Sequence, residues 1–237
     1  FYGDTLFRSA LIHSRNIPTI KIAQDIQIHY LMDYAKRLGF QKEFNQDLSI
    51  ALGSSTTNLL ELTQVYSIFP RAGRKIKPIF IHKIIDRMGN ILEENLPISP
   101  KSVYAKALEA QPPPVAVAGQ LQAEQATGNG PERGVWVDDP NSPERVMDPR
   151  TAYVLTHLMN EVTTMGTGHE AKNLGRPAAG KTGTTNDYQD AWFVGFIPQL
   201  VTGVWVGFDA QKSIGQKAAA AAVALPIWLE FMKEAVK

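Results

Sequence analysis

Apolar positions recur along this chain first at helical and later at strand spacing, and the changes of period mark its elements. Leu6, Ala10 and His13 share one side of a helix predicted over residues 5–14. Pro18 suits the first turn of a second helix, 18–26, where its missing N–H costs nothing. A third helix, 28–38, is expected to stop at Gly39. Thr56 or Thr57 is placed to cap a fourth, which carries Leu60, Thr63, Gln64 and Phe69 and ends near Pro70. Residues 77–86 and 91–94 read as a hairpin closed by Met88-Gly89-Asn90. From 95 to 147 no period survives, and consecutive prolines at 112–114 with Ala-Gln-Gly runs predict a long surface loop or insertion. Asp148-Pro149 has the form of an N-cap followed by proline at the first helical position, and it opens a helix through Ala152, Leu155, Leu158 and Met159. Residues 191–197 and 200–208 are aromatic and β-branched runs around Pro198-Gln199, so they are expected to pair as an antiparallel meander. A last helix starts near Pro226 and carries Trp228, Leu229, Phe231 and Met232.

Composition narrows the possibilities. With 237 residues the chain can bury a sizeable core, as one large domain or two. A net charge of +1 gives none of the basic excess usual in nucleic-acid binding. The absence of cysteine excludes disulfides and thiolate metal sites, and none of the five histidines has metal-ligand spacing. No apolar run approaches the roughly 20 residues needed to span a bilayer. The chain begins at Phe1, without a signal peptide, and is expected to be a piece of something longer.

Lys181-Thr182-Gly183-Thr184 admits two readings. With the residues back to Gly175 it matches the P-loop pattern G-x-x-x-x-G-K-[ST] at every fixed position. A P-loop needs a buried strand before it and a helix after it, whose N–H groups hold phosphates. Here residues 169–174 are too polar for a central strand, and Gly183, Thr184, Thr185, Asn186 and Asp187 are weak helix residues. The strand around Val204-Trp205-Val206 follows too soon for a crossover connection. The other reading makes Lys-Thr-Gly-Thr the opening of a strand that leads into Asp190-Ala191-Trp192-Phe193-Val194-Gly195-Phe196. Nearby, Gly166-Thr167-Gly168-His169-Glu170-Ala171 fits a loose dinucleotide-binding pattern, but it follows a helix, so its glycines read as closing that helix.

Ser14-Arg15-Asn16, just past the first helix, can set a hydroxyl and an amide on one side of a cleft. A Lys-Thr-Gly-Thr edge strand can offer a cation, hydroxyls at alternate positions and backbone groups for an extended peptide. These motifs occur in order with residues 48–55, 148–153, 179–187, 190–196 and 224–228. Together they make the chain resemble the transpeptidase domain of class A penicillin-binding proteins over most of its length outside 95–147. The resemblance implies an α+β fold, a mainly antiparallel sheet flanked by helices, of which residues 1–237 form the C-terminal part. It implies a D,D-transpeptidase that cross-links peptidoglycan stem peptides through an acyl-serine and is acylated by β-lactams, without metal or organic cofactor. The place of action would be the extracytoplasmic, periplasmic face of the bacterial inner membrane, with the membrane anchor outside this chain. Ser14 would shuttle protons with the family's catalytic lysine, and Asn16 would bind the donor peptide. Lys181 would supply positive potential. Thr182, Gly183 and Thr184 would bind substrate: the threonine hydroxyls hold its carboxylate, and the Thr184 N–H completes the oxyanion hole.

Two departures qualify the resemblance. The family's nucleophile lies in a Ser-x-x-Lys motif upstream of Ser-x-Asn, and no serine of this chain has lysine three positions later. The partner expected is therefore an upstream half of the same domain that carries the nucleophile, and this chain alone is expected to be inactive. Second, Ala218–Ala222 stands where the family has a Thr-Gly-Gly-like turn, and five alanines favour helix. Two other functions remain open: a non-catalytic peptide- or protein-binding module on the same scaffold, and a P-loop nucleotide-binding protein.

Overall fold

The computed structural model describes residues 3–42, 44–95 and 144–237. The chain divides into two compact units, 1–76 with 144–237, and 77–143. The described part of the smaller unit is a hairpin in which β1 (Lys83–Ile85) pairs antiparallel with β2 (Ile91–Glu94). The Asp86 carboxylate closes its turn by accepting from the Met88 and Asn90 N–H groups, each at 2.8 Å. The first strand starts later than the expected residue 77. Pro78, which has no N–H to give a ladder, stands in the stretch left unpaired.

The loop expected over 95–147 lies mostly outside the described residues, but its last positions are core. Val146 and Met147 are buried with Ile68 and Ala152, and Arg145 bridges to Arg74. Two adjacent apolar side chains draw the backbone into the larger unit, so the excursion ends before 147.

The larger unit starts with α1 (Phe7–Ile12), α2 (Asn16–Ile26) and α3 (Ile28–Leu38). α1 is shorter than expected and buries Ala10 and Ile12, whereas Leu6 and His13 face solvent. α2 begins at Asn16, so Pro18 falls at its third position, where the N–H would still lack a helical partner. α4 (Leu59–Ser67) is capped by Asn58 rather than by either threonine, with the Asn58 side chain accepting from the Glu61 N–H at 2.8 Å. Thr57 instead donates to the Glu61 carboxylate at 2.7 Å. α5 (Pro149–Thr164) opens as expected, its N-cap Asp148 accepting from the Arg150 N–H at 2.8 Å.

Three strands follow: β3 (Ala179–Thr184), β4 (Asp190–Ile197) and β5 (Leu200–Gly207), antiparallel in that order. Lys181 and Thr182 lie inside β3, opposite Val194 and Phe193. A short turn and another strand come next, not a helix, so the P-loop reading fails on its context. α6 (Ala220–Ala235) begins at Ala220, not near Pro226, because the alanine run extends the helix and Pro226 is tolerated inside it.

The sheet is covered on both faces. Phe193 and Ile197 pack with α6 residues Ala220, Ala224, Leu225, Trp228 and Met232. On the other face Ala179 and Phe196 meet Met159 of α5 and Tyr66 of α4. Trp228 is fully buried, edge-on to Phe193 at 5.0 Å between ring centroids, and its Nε1–H donates to the Gly195 carbonyl at 3.3 Å. Trp192 and Trp205 pair across β4 and β5, and Phe231 is exposed.

Candidate active site

Ser14 stands where α1 ends. Its N–H reaches back to the Leu11 carbonyl at 3.2 Å, and the Arg15 N–H reaches Ala10 at 2.8 Å. This tight closure puts Ser14 at φ +52, a left-handed conformation that costs a non-glycine residue strain. The chain then enters α2 directly, with Asn16 as its first residue. Asn16 is exposed, and its amide makes no hydrogen bond among the described residues.

From β3, Lys181 Nζ donates to Ser14 Oγ at 2.8 Å and to the Thr182 carbonyl at 3.0 Å. The Ser-x-Asn turn and the Lys-Thr-Gly strand therefore meet through their charged and hydroxyl groups. Burial pushes the Lys181 ammonium down to about 8, and no carboxylate pairs with it among the described residues. A partly desolvated cation without a counter-charge is suited to receive an anion.

The two threonines are engaged differently. Thr182 Oγ1 and Thr167 Oγ1 lie 2.7 Å apart. Thr184 Oγ1 accepts from the Ala220 N–H, at the first residue of α6, at 3.0 Å. Accepting there leaves the Thr184 hydroxyl proton free to be donated elsewhere. Gly183 pairs with Trp192 between them. Thr184 thus has a structural duty that the sequence did not show. Thr184→Val should leave the buried Ala220 N–H without an acceptor and cost about 1–3 kcal/mol of stability. Thr184→Ser should keep that bond, and thermal melts of the two variants would separate them; equal midpoints would refute the contact.

The end of α1 is held from α5. Arg8 donates from Nε to Glu161 Oε2 at 2.7 Å and from Nη2 to Oε1. Glu161 is buried, and the hydrogen-bonded Arg8 guanidinium holds its carboxyl below the usual range. Past α5, the Thr167 N–H donates to the Ile12 carbonyl at 3.3 Å. Neither Arg8–Glu161 nor Thr167 was identifiable from the sequence as part of the site. The Gly-Thr-Gly run was the only signal, and it read as a helix end.

The chain that carries these segments has clear relatives. Residues 2–232 match the family described as penicillin binding protein transpeptidase domain. Penicillin-binding protein 1A of Pseudomonas aeruginosa PAO1 is 36% identical over 260 residues, covering 100% of this chain and 30% of that protein. Penicillin-binding protein 1A of Aquifex aeolicus is 35% identical over 232 residues, covering 98% of this chain and 26% of that protein. The crystal structure of penicillin-binding protein 1A from Haemophilus influenzae aligns with a TM-score of 0.74 at 25% identity, over 97% of this chain and 34% of that one. PonA1 from Mycobacterium tuberculosis in complex with penicillin V shares the fold, with a TM-score of 0.69 at 18% identity over 99% of this chain and 58% of that one. The chain spans 25–30% of the length of the curated penicillin-binding protein 1A relatives it matches.

Proposed function

Because this chain belongs to the family of penicillin-binding protein transpeptidase domains, we propose that it forms one wall of the active site of a peptidoglycan D,D-transpeptidase. The observation that carries this reading is the 2.8 Å bond from Lys181 to Ser14, which brings together the two motifs of the resemblance. The acylated serine would come from a preceding segment of the same domain, since these residues contain no Ser-x-x-Lys. That serine attacks the carbonyl carbon of the penultimate D-alanine of a stem peptide. The peptide C–N bond breaks, and D-alanine leaves once its nitrogen takes a proton. The proton that the attacking serine gives up would pass through the lysine of the Ser-x-x-Lys motif to Ser14 Oγ, as Ser14 hands its own hydroxyl proton to the leaving nitrogen. The reverse relay would take a proton from the incoming amine back to the serine. The Lys181 hydrogen bond to Ser14 Oγ supports this role by occupying a lone pair and turning the hydroxyl proton toward the cleft. An amine of a neighbouring stem peptide then attacks the ester, forms the cross-link and returns the serine to its free state.

The exposed Asn16 amide would hold the donor peptide. The Thr182 and Thr184 hydroxyls would donate to its terminal carboxylate beside the Lys181 charge, and the Thr184 N–H would face the developing oxyanion. β-Lactams would enter by the same attack. The protein would work at the extracytoplasmic face of the bacterial inner membrane; among the described residues no helix is long and apolar enough to cross a membrane.

Protonated Lys181 is the working form in this scheme, so acylation by an anionic penicillin should fall as pH rises through about 8. Lys181→Arg, which stays charged throughout, should lose that limb. The test is a fluorescent penicillin added to the longer protein, with rates followed from about pH 7 to about pH 9. A covalent label on a serine outside residues 1–237 is expected. A folded protein that takes no label would favour the non-catalytic binding module.

A further inference from the structure

We infer that Thr167 is a positioning residue of this active site, tying the end of α1 to β3 and so setting the separation of Ser14 and Lys181. The inference rests on the transpeptidase reading for its function and on three hydrogen bonds for its geometry. Thr167 bonds in two directions. Its N–H donates to the carbonyl of Ile12, in the segment that ends at Ser14, at 3.3 Å. Its Oγ1 meets the hydroxyl of Thr182, the neighbour of Lys181, at 2.7 Å. The Lys181–Ser14 bond at 2.8 Å closes the circuit. Ser14, Ile12, Thr167, Thr182 and Lys181 therefore form one ring in which only the Lys181 arm is long and flexible.

The turn that carries Thr167 is itself rigid. The N–H groups of Gly166 and Gly168 both donate to the Val162 carbonyl, at 3.1 and 3.0 Å, folding the chain back on the end of α5. Both glycines are buried, and Phe193 lies 3.3 Å from where a Gly168 Cβ would stand. A β-branched residue between them has few rotamers to choose from, so its hydroxyl has a defined direction. A hydroxyl can also donate and accept at once. When Thr167 donates to Thr182, the Thr182 proton is left free for a substrate carboxylate. Without that bond, the only direct hydrogen bond between the Ser14 turn and β3 among the described residues is the one from the Lys181 side chain, whose freedom works against a fixed geometry. This assigns a purpose to the Gly-Thr-Gly run that follows α5.

The experiment compares Thr167→Val and Thr167→Ser in the longer protein, measuring second-order acylation by penicillin per mole of folded enzyme. Valine keeps the shape and removes the hydroxyl, so the rate should fall about tenfold or more, as each 1.36 kcal/mol lost is tenfold. Serine keeps the hydroxyl and should stay within about threefold of the parent. A packing role predicts the opposite order, because serine leaves a methyl-sized gap and valine does not. Valine equal to the parent, serine as impaired as valine, or a valine deficit that disappears after correction for unfolded protein would each overturn the inference. Failure of the parent itself to be acylated would instead overturn the transpeptidase reading.

Discussion

Replacing Lys181 with methionine in the longer protein should lower the acylation rate by penicillin about 100-fold or more, and should leave the fold as stable as before or slightly more so. A hydrogen bond to a charged group contributes roughly 1.5–3 kcal/mol, which alone is about a 10- to 100-fold effect on rate. The substitution also removes the cation from a site where no described carboxylate offsets it, so attraction of an anionic substrate is lost as well. Stability should move the other way. Burial disfavours the ammonium, which is why Lys181 is pushed down to about 8, and a thioether of similar length carries no such penalty. The pattern of lower activity with unchanged or higher melting temperature marks a residue kept for function at a cost to stability. Acylation within threefold of the parent, or a collapse of the fold, would contradict the role given to Lys181.

What could be read from the sequence was local. The α5 start was legible because Asp148 and Pro149 act through their own backbone neighbours. The β4–β5 meander was legible because apolar runs around Pro198-Gln199 can hardly pair otherwise. Gly39 ended α3 where the stop was expected, at a φ of +122. Errors of boundary were also local: Asn58 outcompeted Thr56 and Thr57 as a cap, and the helix propensity of the alanine run moved the start of α6 ahead of Pro226, where it was expected. The family motifs pointed to Ser14, Asn16 and Lys181 as candidates, and the fold brings Ser14 and Lys181 into contact. The supports of that contact were not legible. Arg8 and Glu161 lie on helices far apart in the chain, and no period or spacing pairs them. Thr184 looked like a ligand for substrate only, because its Ala220 partner became available once α6 began six residues before Pro226.

The glycine before Thr167 shows the same limit and gives the second large effect expected. Gly166 reads in sequence as one of the glycines that close a helix, a place where a positive φ is common, yet it is absent from the positive-φ residues. Its requirement is closeness: a Cβ there would stand 2.4 Å from the Ile12 carbonyl oxygen, 2.8 Å from Ile12 Cγ2 and 2.9 Å from Val162 Cα. Two of these three neighbours are backbone atoms, so no side-chain rotation relieves the clash. The end of α1 would have to retreat by about 1 Å, and it carries Ser14 with it. Misplacing a reacting group by that distance can cost about 100-fold in rate. Overpacking of this kind costs typically about 1–3 kcal/mol of stability, so most of the protein should stay folded. Gly175 is the control, because it sits at φ +74 with nothing within 4 Å of its Cβ position. Gly175→Ala should lose a little stability from backbone strain and acylate like the parent, whereas Gly166→Ala should lose about 100-fold. Equal acylation by the two alanine variants would show that the approach of Ile12 to Gly166 does not position Ser14.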